Sequence, residues 1–317
     1  MFKRPLFLKN LSVPVQIMML LMFIIISGFI ISIIGILITI PFGGNNLLIK
    51  GSEFDILSNI NLSKFLQIVN HLGLFLIPSL LFVYFLSRNP KGYLKLDKKP
   101  HIFSLIAGLL LMFISMPFIN WLLSINQTFH LPESMSGIEN WMRVSEERAA
   151  YFTEVFLNVN TISGLLLNIL MIAVIPAIGE EILFRGILMK LLKIWIGNIH
   201  IAIIISAVVF SAAHLQFFGF LPRVVLGVIL GYLFYITRNL WIAIAAHFVN
   251  NAFAVIISFL NFKYKLSSDI EEFGSKNDDY PVIIFSLLLT IVIIFSINQR
   301  EKKFKAISFR KTKEEEF

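Results

Sequence analysis

The sequence contains no cysteine, and only 15% of its 317 residues are charged. The absence of cysteine excludes disulfides, thiolate metal sites and a thiol nucleophile. Soluble domains usually carry about a quarter charged residues, so the low charge argues against a soluble protein. The net charge of +8 falls mainly in short loops and at the chain ends, with no basic patch interleaved with aromatics. It therefore indicates membrane topology rather than nucleic-acid binding.

Hydrophobic residues make up 57% of the chain. A helix that crosses a bilayer needs roughly 20 apolar residues. The predicted fold is therefore an all-α, polytopic membrane helical bundle with about eight transmembrane helices. The candidate spans are 15–41, 65–87, 102–125, 162–180, 199–216, 218–236, 239–261 and 280–297.

The apolar segment 182–196 carries three basic residues. We interpret it as an amphipathic continuation of the fourth helix or an interfacial piece, not as a ninth crossing. Loop charge supports eight crossings, because the basic N-terminus, loop 88–101 and C-terminal tail should be cytoplasmic. The more acidic loops 126–161 and 263–279 should lie outside, and the first of them is expected to hold a surface helix. Both termini are then cytoplasmic, and the cell (inner) membrane is the expected location.

Charged side chains within spanning helices cost several kcal/mol, and they indicate function by default. The segment GEEILFRG holds Glu180, Glu181 and Arg185. Residues four apart share a helical face, so Glu181 and Arg185 are placed to pair, and Glu180 points about 100° away. An unpaired, desolvated carboxylate suits general-base work, so Glu180 is the candidate catalytic group. A charged helix end at the membrane interface is the structural alternative.

Two further polar clusters occupy later spans. The segment FSAAH places Phe210 and His214 on one helical face, and HFVNN does the same for His247 and Asn251, while Asn250 points elsewhere. A lone histidine is more often a packing residue than a ligand, and His247 and Asn251 could also join helices by hydrogen bonds. Each cluster taken alone is therefore a weak signal.

The spacing predicts that these clusters converge. The dipeptide Gly197-Asn198 is a turn signal, and an antiparallel pair folded about it puts Glu180 and His214 at matching depth. The seventh span enters from the same side, so Asn251 lies on the order of 16 Å in and His247 one turn shallower. A carboxylate, two imidazoles and an amide should meet below the cytoplasmic surface.

Such a set of side chains suits hydrolysis in two ways. Glu180, His214 and His247 could hold zinc, with water as the fourth ligand. Without a metal, Glu180 and His214 would activate water, and His247 and Asn251 would stabilise the oxyanion. The second scheme gives Asn251 a role. The zinc motif HExxH is absent, as are GxSxG and P-loop patterns.

The three motifs resemble those of the CPBP family, which comprises type II CAAX prenyl proteases and bacterial bacteriocin-processing and immunity proteins. Its EExxxR, FxxxH and HxxxN/D patterns match Glu180-Glu181 with Arg185, Phe210 with His214, and His247 with Asn251. The resemblance implies an intramembrane endopeptidase in which Glu180 and His214 activate water, and His247 and Asn251 stabilise the oxyanion. Glu181, Arg185 and Phe210 would support the site. Members are often labelled metalloproteases, so the expected cofactor is either none or zinc.

The resemblance also divides the chain. Residues 162–262 would be the catalytic core, 1–161 the N-terminal helices and loops, and 263–317 the last helix with a basic tail. The expected partners are the lipid bilayer and a membrane-associated peptide or protein, without nucleic acid. A transporter that uses the buried polar residues as an ion relay, or an immunity protein that binds a peptide there, is the alternative function.

Overall fold

The computed structural model describes residues 6–42, 59–265, 274 and 279–314, with side chains placed as far as residue 304. These residues form helices joined by short turns and include no strand. The nine main helices are α1 Val13–Thr39, α2 Ile60–Leu86, α3 Ile102–Gln127, α4 Ser136–Leu157, α5 Ile162–Ile196, α6 Ile199–Ala212, α7 Phe220–Thr237, α8 Leu240–Tyr264 and α9 Tyr280–Glu314.

Seven of these helices are long and apolar enough to cross a membrane, and α6 is a shorter apolar helix of 14 residues. The prediction of a polytopic all-α bundle with about eight spanning helices is confirmed. The remaining helix, α4, is the predicted surface helix of the loop 126–161. It is tied to the bundle by the buried Lys64 of α2, whose Nζ donates hydrogen bonds to the carbonyl of Phe156 and to Asn168 of α5.

The fourth span and the segment 182–196 form one continuous helix, α5, so the predicted continuation is confirmed. Gly197 ends this helix with a left-handed φ of +78°, a conformation that glycine adopts without steric cost. Asn198 then caps α6, because its side chain accepts from the backbone N–H of His200. The same end of the bundle holds loop 88–101, where the carbonyl of Lys95 accepts from the N–H of Leu240.

Burial differs strongly among the helices. In α7, 56% of the most apolar stretch is buried, against 17% in α1. The inner helices pack closely, since a Cβ at Gly227 of α7 would lie 2.9 Å from the Cβ of Ala207 of α6. The core of the protein therefore lies among α5, α6, α7 and α8, with α1 at the periphery.

Several predictions concern the chain ends and the second outer loop. The basic Lys3 and Arg4, most of loop 263–279 and the last two residues of the acidic run, Glu315 and Glu316, lie outside the described residues. The predicted last span, 280–297, is the first part of α9, which continues through the tail as far as Glu314. Within this helix, Glu301 is buried and accepts a 2.6 Å hydrogen bond from Ser104 of α3.

Candidate active site

The centre of α5 carries a buried ion pair. Arg185 Nη1 donates to Glu181 Oε1 at 2.7 Å, as their four-residue spacing predicts. Arg185 is only 1% exposed, and its Nη2 donates to the carbonyl of Gly227 on α7 at 3.0 Å. Its guanidinium also lies 4.7 Å from the ring centre of Phe210 on α6. The pair therefore joins three helices.

Glu180, the neighbouring carboxylate, has different surroundings. It is 5% exposed. Its Oε1 lies 3.8 Å from Nε2 of His71 on α2, and its Oε2 lies 3.8 Å from Nε2 of His247 on α8. Both distances exceed that of a hydrogen bond, and Arg185 bonds to Glu181 instead. Glu180 is thus a buried carboxylate between two imidazoles.

The hydrogen bond of His247 shows that its Nδ1 carries a proton. Its Nδ1 lies 2.9 Å from Glu181 Oε1. An ionised carboxylate can only accept, so Nδ1 carries a proton and donates it to Glu181. The opposite nitrogen, Nε2, is the one that faces Glu180, and orientation of an imidazole through its second nitrogen is a common device in active sites.

His214 lies just beyond the end of its helix, not on a helical face as the FSAAH spacing suggests. The helix α6 ends at Ala212, and Leu215 adopts a left-handed φ of +53°, which closes the chain into a turn. His214 Nδ1 donates to the carbonyl of Phe210 at 2.9 Å. Its Nε2 is therefore the nitrogen with a free lone pair.

Phe210 packs between these groups. Its ring centre lies 5.1 Å from that of His214 and 6.0 Å from that of His247, both in edge-on contacts. A third edge-on contact, at 5.2 Å, is made with Phe184 of α5, which is as far from Gly197 along the chain as Phe210 is. The antiparallel pairing of α5 and α6 thus follows the predicted arrangement.

Asn251 lies one turn along α8 from His247 and binds α5. Its Nδ2 donates to the carbonyl of Ile172 at 3.1 Å, and its Oδ1 accepts from Asn250. Ile172 lies in a π-helical stretch of α5, Ile169–Val174. Such stretches are frequent at functional sites. The second N–H of the Asn251 amide is not used in this bond.

His71 is a residue of this site that none of the three motifs predicts. This histidine is close enough to His214 and His247 for mutual electrostatic interaction, and it contacts Glu180 from a helix without any of the three motifs. It does lie inside the predicted span 65–87, and an ionisable residue within a span is a candidate functional group by default. Applied to every span, that rule finds it.

A metal site would need three or more ligands at one point. Within the part of the chain that the structure describes, no three His, Asp or Glu side chains are arranged to hold a metal ion. Glu180, His214 and His247 are therefore not grouped as a zinc shell in this structure.

The fold and these contacts define the protein as an integral membrane helical bundle with a buried cluster of two carboxylates, one guanidinium and several imidazoles. Residues 162–253 match the family described as Type II CAAX prenyl endopeptidase Rce1-like. The match confirms the resemblance stated from the three motifs, all of which lie within it. It supports a CAAX-type intramembrane protease. No curated protein and no solved structure matches the chain.

Proposed function

We propose that the protein is an intramembrane endopeptidase that hydrolyses peptide bonds of membrane-associated peptides or proteins. The position of Glu180 is the observation that carries this proposal. Its buried carboxylate faces two imidazoles, whereas the adjacent Glu181 is occupied by Arg185. A buried carboxylate that is not bonded to a guanidinium suits general-base work better than one that is.

In the proposed mechanism, Glu180 and His214 activate water. The Nε2 lone pair of His214 orients the water, and Glu180 takes its proton as the water oxygen bonds to the scissile carbonyl carbon. When the carbon–nitrogen bond breaks, Glu180 returns that proton to the leaving amine nitrogen. No proton is gained or lost over the cycle.

His247 and Asn251 stabilise the oxyanion in this mechanism. Asn251 donates its free N–H. Because Nδ1 of His247 already donates to Glu181, the oxyanion can accept only from Nε2–H, so both ring nitrogens of His247 carry a proton throughout the proposed cycle and neither proton is transferred. Glu181 lies beside the resulting positive charge.

We propose both chain termini on the cytoplasmic side of the cell membrane and a peptide or protein substrate in the bilayer. The name of the matching family specifies a prenylated CAAX substrate. Two internally quenched peptides that end in a CAAX sequence, one farnesylated and one without the lipid, test this specificity directly.

The replacement Glu180→Gln tests the function. The variant should insert and fold, while peptide cleavage falls by about 10²–10⁴-fold because the general base is lost. Wild-type protein, Glu180→Gln and the exposed control Glu147→Gln are compared on both peptides, and peptide termini are profiled in membranes. Cleavage by Glu180→Gln at the wild-type rate would refute the proposal. If the wild type and Glu180→Gln give the same peptide termini but differ in ion flux, the transporter is favoured. If the wild type binds the peptides without cleaving them, an immunity-type binder is favoured.

Removal of metal ions tests the metal-free scheme. We expect cleavage to survive a strong zinc chelator, because the proposed steps use only side chains. Cleavage is measured before and after chelation, with magnesium in excess. Loss of activity that added zinc restores would contradict the scheme and favour a zinc ion bound by Glu180, His214 and His247.

A further inference from the structure

His71 is a largely buried histidine, with its side chain 11% exposed, and it lies outside the segment that matches the family. Its ring stacks on Phe75 of the same helix, with centres 4.5 Å apart and planes 20° apart. Its Nε2 is buried and has no hydrogen-bond partner among the described residues. Buried polar atoms are nearly always paired, and an exception calls for an explanation.

The packing of α2 on α5 brings His71 to Glu180. At Gly179, the residue before Glu180, an added Cβ would lie 3.2 Å from the Cβ of Phe75 and 3.4 Å from Nε2 of His71. The absence of a side chain at Gly179 allows this close approach. A π-helical stretch of α2, Leu72–Leu76, begins directly after His71, and such stretches redirect side chains at functional sites.

The two oxygens of Glu180 face different imidazoles. Oε1 faces His71 and Oε2 faces His247, each at 3.8 Å. This separation is too long for a hydrogen bond, but a water bound beside both atoms could bridge them. The other charged groups near the carboxylate are Glu181 and Arg185 on its own helix, which are bonded to each other.

We propose that His71 is a positioning residue of this site. Its Nε2–H holds Oε1 of Glu180 through one bridging water and so fixes the carboxylate, leaving Oε2 directed at the hydrolytic water. The inference rests on the proposed function and extends the site to α2, outside residues 162–253. The bridge also provides the partner that the buried Nε2 otherwise lacks.

Two replacements separate positioning from packing. The variant His71→Leu keeps the volume and removes the donor, whereas His71→Gln places an amide N–H near the position of Nε2. We expect kcat of His71→Leu to fall by about 10–100-fold with KM unchanged, because a small misplacement of a catalytic group has effects of that order. His71→Gln should recover most of kcat. His200→Gln, at the start of α6, serves as the matched control.

The outcomes are distinct. Unchanged kcat in His71→Leu, an equal loss in both His71 variants, or a change confined to KM would overturn the proposal. Glu180→Gln is assayed beside them: if it retains wild-type cleavage the proposed function fails, and if it is inactive while His71→Leu is fully active only the role of His71 fails.

A second measurement is independent of activity. Melting temperatures in detergent are compared for the wild type, His71→Leu, Glu180→Gln and the double variant. Groups that interact give non-additive changes, and independent groups give additive ones. We expect the shift of the double variant to be smaller than the sum of the single shifts. Additive shifts would overturn the proposed contact whatever the substrate.

Discussion

Two glutamate–arginine pairs, one in α5 and one in α4, share the same spacing and the same distance in opposite surroundings. Glu181 and Arg185 lie 2.7 Å apart, as do Glu139 and Arg143, and in each case the arginine follows by four residues. In α5 the two side chains are 0% and 2% exposed, in α4 16% and 40%. The same four-residue contact therefore occurs in the core and at the surface.

The two pairs also differ in what they hold together. The α5 pair bonds to His247 and to the carbonyl of Gly227 on two other helices. The α4 pair bonds to His130 and to the N–H of Leu131 just before its own helix. When one partner of an exposed pair is removed, water solvates the charge that remains. When one partner of a buried pair is removed, the remaining charge stays buried without compensation. Four-residue spacing predicts the contact, and burial determines how much its loss lowers the free energy of unfolding.

The two pairs should differ most in their effect on stability when the arginine of each pair is replaced. We expect Arg185→Met to lower the free energy of unfolding by about 3–5 kcal/mol, because Glu181 is then a buried charge without its partner. Arg143→Met should have little effect, since water can solvate Glu139. Yield from membranes and melting temperature in detergent measure both variants. Equal losses in the two would contradict the role assigned to burial.

Much of this architecture follows from the sequence. Hydropathy alone predicts the bundle and its spans, and Gly197 with Asn198 predicts the turn because glycine accepts the left-handed conformation and asparagine caps the next helix. The contact between Glu181 and Arg185 is a local property of helix geometry. Such features depend on neighbours in the chain, which is why sequence patterns report them.

Contacts between segments that are distant in the chain are harder to predict from the sequence. The approach of His71 to Glu180 depends on the packing of α2 against Gly179, and no local pattern encodes which helices meet. The π-helical stretch Ile169–Val174 of α5 turns the residues that follow it to a different side of the helix, so a regular 3.6-residue period misplaces those side chains. The end of helix α6 before His214 is also hard to predict. It depends on the left-handed conformation of Leu215, which leucine rarely adopts.

The two pairs should differ less in stability when the glutamate of each pair is replaced by neutral glutamine. In Glu181→Gln, a carbonyl oxygen at the position of Oε1 can still accept from Arg185 and His247, but the amide at the position of Oε2 adds a donor where that oxygen has no partner among the described residues. We expect a loss of about 1–3 kcal/mol in unfolding free energy. Melting of Glu139→Gln provides the comparison at the surface, where the change should be smaller. A larger decrease in melting temperature for Glu139→Gln than for Glu181→Gln would contradict this prediction.

The smallest effect should be a pH dependence at the α4 pair. The hydrogen bond from Arg143, followed by those from His130 and the N–H of Leu131, lowers the pKa of Glu139 from 4.5 to about 2. Since the folded-state pKa is depressed, the stabilisation is fully present above pH 4.5 and is lost as the pH falls to about 2. The melting temperature of the wild type should therefore exceed that of Glu139→Gln near neutral pH, and the two should converge across this window. Because the carboxylate is exposed to solvent, the difference should be small and should shrink in high salt. A difference that is constant from pH 6 to pH 2 would show that Glu139 contributes through packing instead of charge.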